Sequence, residues 1–432
     1  MKDRLVVLIT NIWLSRRGGS ETVVRDLALG LLRRGHRPIV YSPALGTPAE
    51  ELAARGVCVI DDLRNFAEAP DIIHAHHCIP CGEALIRFPQ TPAVYVCHAF
   101  TPWMEAPAFF PQIAAYVAVD EACRDRLVHT EGIDPGRVVV LRNAVDLARI
   151  PPRPQPLKAR PERALAFGKA AGVAELRIAC ETLGIEYQAI GAAAGRELAR
   201  PEQELVAFDL VFASARAALE ALCCGCAVIA CDVRGLGGLV TSHNLDTLRA
   251  RNFGVRSLTE AITVEACVRE IGRYDPFDAA LVARRARDEA SLEDLLDGFE
   301  KLYGEALAGA RRPNITSPAH EHAVARFLHG YLPRRPDDPR WPWMAEREHL
   351  QGEVQSLETR LAALSDRLIR TEGALADCAN ERDQLRRILS EASDESERLR
   401  RSLSEASEHL QNSRMLKVGR LLRRMARLPS RY

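Results

Sequence analysis

Gly18-Gly19-Ser20-Glu21 lies between an apolar run, Leu5 to Ile9, and an amphipathic segment, Thr22 to Leu32. The run has the length and β-branched content of a buried parallel strand, and Val23, Leu27, Leu29 and Leu32 recur at helical intervals. A glycine pair at such a strand-to-helix turn lets a ligand reach the backbone and aims the first N–H groups of the helix at an anion. The purely structural alternative is a turn with Ser20 as helix cap. Other reactive side chains gather at His74, His76 and His77, just ahead of Cys78-Ile79-Pro80-Cys81, and at Cys223-Cys224-Gly225-Cys226. The first cluster has one CxxC spacing, but no second CxxC or matched histidine pair follows at finger spacing, and Pro80 suits a turn. The second reads as a helix end running into a strand. No metal site is expected at either.

These groups need a scaffold, and the chain supplies one. Strand-like runs alternate with helical ones: Leu5–Ile9, Pro38–Tyr41, Val57–Ile60, Asp71–Ala75, Ala93–Cys97, Tyr116–Val119 and Val138–Leu141, with a helix around Glu50–Arg55. Such βαβ alternation specifies a parallel sheet covered on both faces. Pro151-Pro152-Arg153-Pro154-Gln155-Pro156 then breaks the pattern as a linker, and the same grammar resumes in Ala164–Phe167, Val173–Leu183, Glu186–Ile190, Leu210–Ala213, Ala215–Cys223 and Ala227–Cys231, before a helical section from Leu258 to Ala308. The expected fold is α/β, with two Rossmann-like domains, 1–150 and 163–310, joined by a linker at 151–162 and facing a cleft at the carboxyl ends of their strands.

Composition bounds the function. In 432 residues, 58 basic and 58 acidic side chains cancel, which removes any global electrostatic case for nucleic acid. The longest apolar stretch, Ala221 to Cys231, is well short of the roughly 20 residues of a membrane span, and the N-terminus lacks a signal-peptide layout, so a cytoplasmic protein with reduced cysteines is expected. After a linker at 311–344, a four-three spacing of leucines and small residues runs from Leu350 to Leu410, broken at Arg382 and Ser396, and predicts a coiled coil over 345–412 that makes a homo-oligomer. One long solvated helix folding back is the alternative. The last segment, 413–432, places Met415, Val418, Leu421, Leu422, Met425 and Leu428 on one helical face and six basic residues on the other, which suits an anionic membrane surface.

The glycine turn, "LRRGHRPIVYS", "PDIIHAHH", "VYVCHAF", "YVAVDEACRDRL" and "LRNAVDLARI" together resemble the N-terminal domain of retaining, family-4-type glycosyltransferases of the GT-B fold. "DLVFASARAALEALCCGCAVIACDVRGLGGLV" resembles their donor-binding segment, so the likeness spans about residues 1 to 305. It implies sugar transfer from a nucleotide-diphosphate donor to a glycan or lipid-linked acceptor, with no further cofactor and no metal. The implied donor site comprises Gly18, Gly19, Lys169, the helix start at Ser214 and Ala215, Arg216, and Glu220 on the ribose hydroxyls. His98, at a strand end, would touch the transferred sugar or the acceptor, with Ser20, Glu21 and His76 on the acceptor side.

The sequence also departs from that family. Its members pair two cations after the first strand of the second domain, whereas here Lys169 is followed by no basic residue until Arg177. They carry two glutamates eight apart, whereas Phe212 stands eight before Glu220. The expected activity is a retaining glycosyltransferase in cell-surface polysaccharide synthesis, at the inner face of the membrane. The alternatives are an inactive GT-B scaffold acting through its coiled coil and, with less to favour it, a nucleotide-sugar epimerase of similar fold.

Overall fold

The computed structural model describes residues 4–196, 200–309, 317–331, 361 and 388–405. The first half builds β1 (Val6–Thr10), α1 (Gly19–Arg33), β2 (Arg37–Tyr41), α2 (Thr47–Ala54), β3 (Cys58–Ile60), β4 (Ile72–His76), α3 (Cys78–Arg87), β5 (Ala93–Cys97), β6 (Ile113–Ala118), α4 (Glu121–Asp125) and β7 (Val138–Val140). Its seven strands form one sheet, β3-β2-β1-β4-β5-β6-β7, parallel throughout. β4 and β5 are buried at every residue, as strands covered on both faces must be.

The second half contributes β8 (Arg163–Phe167), α5 (Ala174–Thr182), β9 (Glu186–Ile190), α6 (Pro201–Leu205), β10 (Leu210–Ala213), α7 (Ala215–Cys223), β11 (Ala227–Asp232), β12 (Gly235–Leu239), α8 (Leu245–Ala250), α9 (Val264–Ile271), α10 (Pro276–Glu289) and α11 (Leu292–Gly309). Its sheet runs β12-β11-β10-β8-β9, with only β12 antiparallel. Lys169, Ser214 and Asp232 therefore stand at the carboxyl ends of three adjacent strands. Two cores, one on each face of this sheet, hold it together.

The helical section expected within the second domain divides. α11 leaves that half and closes the first core through Leu296, Phe299 and Tyr303. Gly30 on α1 makes this docking possible, since a Cβ there would come within 2.6 Å of Leu296. The chain crosses between the halves twice, side by side: the Val145 N–H donates to the Ala290 carbonyl at 2.9 Å, and the Leu292 N–H to the Val145 carbonyl at 3.1 Å.

Part of the stretch expected as a linker over 311–344 is a helix, α12 (Pro318–Tyr331). It straps the first half. His320 bonds Gln112 at 3.0 Å, Arg326 stacks over the Phe109 ring at 4.1 Å, and Phe327 lies against Phe110 and Gly82. A Cβ on Gly82 would collide with the Phe327 ring, so Gly82→Ala is expected to release α12. Limited proteolysis would then cut the variant near residue 317 while the wild type resists.

Residues 388–405 form a helix whose covered side is Leu389, Ala392, Ser396, Leu399 and Leu403, members of the four-three stripe. The rest of the coiled coil expected over 345–412, apart from 361, and the whole basic segment 413–432 lie outside the described residues.

Candidate functional site

The glycine turn opens onto the carboxyl edge of the first sheet. Gly18, not Ser20, is the N-cap of α1, and the Ser20 hydroxyl donates instead to Glu21 Oε2 at 2.9 Å. The Glu21 side chain folds back over Gly18 so closely that a Cβ on Gly18 would strike its carboxylate. The acid at the third helical position thus complements the dipole of α1. The close approach at 18 is made by the protein's own carboxylate, the mobile end of the Glu21 side chain. Gly19 has open space around it, so a ligand can approach the backbone there.

A row of histidines runs along the same edge. His74 meets the Tyr303 hydroxyl of α11 at 2.6 Å and lies tilted against His76 with ring centroids 4.7 Å apart, while His76 stacks on His98 at 4.6 Å and its Nδ1 bonds His98 Nε2. His76 has no exposed surface, which corrects its expected place on the acceptor side: it reaches ligand only through His98. Burial drives the His76 imidazole well below the usual range and that of His74 down to about 3. His98 is half-buried and pushed down to about 4 by burial, against the pull of Glu105, with His77 and Arg216 adding to the depression. The row is therefore neutral at pH 7. Glu105 fixes the backbone, accepting the His98 N–H at 2.8 Å, and Arg126 gathers the carbonyls of Ala99, Phe100 and Pro102 at 2.8–3.1 Å.

Opposite His98 stands α7. Arg216 donates to Asp26 of α1, to the Ala144 carbonyl at 2.9 Å and to Glu220 at 3.2 Å. Arg149, from the crossing segment, donates to Glu220 at 3.0 Å and to Glu202 of α6. This buried network ties the two halves together. Burial raises the Asp26 carboxyl, but Arg216, Arg25 and Arg149 outweigh it and hold the group below the ordinary carboxylate range. At the helix start, the Ser214 hydroxyl is taken by Asp232 at 2.7 Å and the Ala215 N–H by the Phe253 carbonyl at 3.3 Å. Ala215, Asn252 and Phe253 all adopt left-handed backbone at φ of 49–52°, a cost of the kind stored at binding sites. The N–H groups of Arg216 and Ala217 belong to the first turn, which has no intrahelical acceptors. Phe212 is wholly inside the core, so no carboxylate is restored at its position.

The remaining expected donor residue, Lys169, is exposed in the turn behind β8 and has no hydrogen bond or ion pair among the described residues. Desolvation and the neighbouring Arg234 lower its ammonium pKa, while Asp232 works in the opposite direction. No cluster of three or more histidine, cysteine or acidic groups suited to a metal occurs among the described residues; Cys78 and Cys81 are buried in the first turn of α3.

The structure thus gathers Ser214, Ala215, Arg216 and Glu220 opposite His98, with Gly18, Gly19, Ser20 and Glu21 at the start of α1. Asp26, Arg149, Glu202, Asp232, Arg234 and Glu105 belong to the same region and were missed from the sequence; Asp26, Arg149 and Glu202 meet partners 53 to 190 positions away, whereas Asp232 meets Arg234 two positions on and Glu105 meets His98 seven back.

Comparison with known proteins agrees with the fold. Residues 17–149 match the model of Glycosyltransferase Family 4. A glycosyltransferase from Rickettsia africae is similar in structure at TM-score 0.50 and 13% identity, covering 71% of this chain and 100% of the other. Anabaena HepE, in complex with UDP and glucose, is similar at TM-score 0.50 and 15% identity, covering 69% and 99%. No curated protein matches the chain in sequence. The chain thus has the GT-B fold, and its residues 17–149 are a match to Glycosyltransferase Family 4.

Proposed function

We propose that this protein is a glycosyltransferase that moves a sugar from a nucleotide-diphosphate donor to a glycan or lipid-linked acceptor, with retention, in cell-surface polysaccharide synthesis. The observation that carries the reading is the convergence of His98, from the first sheet, with the start of α7 and its Arg216, from the second. Breaking the bond between the anomeric carbon and the diphosphate oxygen leaves negative charge on the diphosphate. The helix start and Lys169 are the groups available to stabilise it. Neutral His98 is suited to hydrogen-bond a sugar or acceptor hydroxyl, and Glu220 to accept from the ribose diol once it exchanges an arginine for the ligand. The same reading uses side-chain cations in place of a metal and needs no cofactor. It assigns the coiled coil to self-association and segment 413–432 to the inner face of an anionic membrane.

One observation favours the alternative of an inactive scaffold. Ser214, Arg216 and Glu220 all spend their polar atoms inside the protein, and Phe212 replaces a carboxylate. A thermal-shift series with UDP, GDP, dTDP and ADP and their sugars separates the two. A donor at about 100 times its dissociation constant adds about 2.7 kcal/mol, and the transferase reading expects one nucleotide to do so for the wild type and much less for Glu220→Gln. Equal melting with and without every nucleotide would support the scaffold.

A further inference from the structure

The turn behind β8 supplies one cation for a diphosphate, Lys169, and the next basic residue, Arg177, lies over the ring of Tyr187 on the neighbouring edge strand. We propose that Arg234, from the turn after β11, is the second cation, and that Lys169 and Arg234 together bind the donor diphosphate, with Asp232 and Ser214 as positioning residues. This assignment rests on the glycosyltransferase reading and deepens it.

The three strand ends that carry these groups are neighbours in the sheet. The turn 168–172 touches both other elements: a Cβ on Gly168 would lie 3.5 Å from the Ala217 methyl of α7, and one on Gly172 would lie 3.8 Å from Val233 Cγ1. Lys169 therefore sits between the start of α7 and the 232–234 turn. Asp232, fully buried, accepts from Ser214 Oγ at 2.7 Å and from the Arg234 backbone N–H, Nε and Nη2 at 3.0, 2.9 and 2.6 Å. That two-point grip fixes the plane of the guanidinium and leaves its Nη1 donors without a protein acceptor among the described residues. The Arg234 side chain is 42% exposed, so a ligand can reach it.

Lys169 and Arg234 are electrostatic neighbours, and the carboxylate near both, Asp232, is already committed to Ser214 and Arg234. A dianion bridging them relieves the repulsion that this arrangement builds in. A diphosphate spans both; a monophosphate reaches one.

Isothermal titration tests the assignment with UDP, GDP, dTDP and ADP, each beside its monophosphate, on the full chain. For the diphosphate that binds the wild type most tightly, Arg234→Gln is expected to weaken binding about tenfold or more, Lys169→Met similarly, and Arg234→Lys less. The monophosphate should change by less than about threefold; because Arg234 is the ion partner of buried Asp232, Arg234→Gln is expected to lower the melting midpoint without ligand, and titrations are run well below the midpoint of every variant. If Arg234→Gln binds the diphosphate within about twofold of wild type, Arg234 is not the second cation, whatever Lys169 does. If the wild type binds no nucleotide, the donor-site reading itself falls and takes this assignment with it.

Discussion

Replacing Asp26 with alanine is expected to destabilise the chain by about 3–5 kcal/mol, the usual result of removing one partner from a buried ion network. Asp26 is 2% exposed and meets Arg216, Arg25 at 2.8 Å and Arg149 at 3.9 Å. Without it Arg216, only 7% exposed, keeps Glu220 and a carbonyl. Because Asp26 is on α1 and Arg216 on α7, the loss also loosens the union of the two halves. Urea titration reads the effect as a lowered midpoint. A more solvated cluster gives the contrast: Arg34, 21% exposed, with Glu293, Asp297 and Glu300 joins the end of α1 to α11 near the surface, and Arg34→Ala should cost clearly less, about 1 kcal/mol. Equal effects of the two substitutions would show that the buried network does not hold the halves.

Acid should weaken the fold nearly as much, through the histidine row. His74, His76 and His98 all have folded pKa values below their unfolded value, because burial disfavours the imidazolium. The unfolded chain therefore binds protons that the folded chain refuses. The stability these groups contribute is complete above about pH 6.5 and is lost as the pH falls toward their folded values, by about 1.4 kcal/mol per pH unit for each fully buried histidine. His98 contributes less, since it is half-buried and solvent screens it. Loss ends near pH 4 for His98 and near 3 for His74. Urea midpoints at pH 7.5, 6.5, 5.5 and 4.5 should hold between the first two and then drop steeply, and His74→Phe should flatten the drop. A midpoint as high at pH 5 as at 7.5 would mean that the row takes up protons without cost.

The first sheet was legible because its strands are short apolar runs rich in β-branched residues, buried on both faces, and the second because short apolar runs such as Ala164–Phe167 and Leu210–Ala213 alternate with helical ones. β12 was not, because Gly235-Leu236-Gly237-Gly238-Leu239 lacks the side chains that mark a strand, and its order comes from an antiparallel partner. α3 was hidden behind a CxxC spacing and Pro80, which suited a turn but is tolerated in the first turn of a helix. α12 lay in a stretch whose polarity reads as a linker until Phe327 finds Gly82.

The candidate site divides the same way. His98 and the helix beginning at Ala215 could be read from strand ends, which point at one edge whatever packs around them. Asp26 meeting Arg216, 190 positions away, and Arg149 meeting Glu220, 71 away, leave no trace in spacing. The Gly18-Gly19 turn was legible as a place of close approach, but the approaching group at Gly18 is Glu21, three residues on.

The measurement that tests the transferase account most directly is turnover. The full chain is incubated with UDP-, GDP-, dTDP- and ADP-linked sugars and a membrane fraction as acceptor, and both the released nucleoside diphosphate and the anomeric configuration of the product are followed by NMR. The account predicts diphosphate release from one donor, dependent on acceptor, abolished by His98→Ala and with the donor's configuration kept in the product. Binding of a nucleotide without transfer to any acceptor, equally in wild type and His98→Ala, would contradict it.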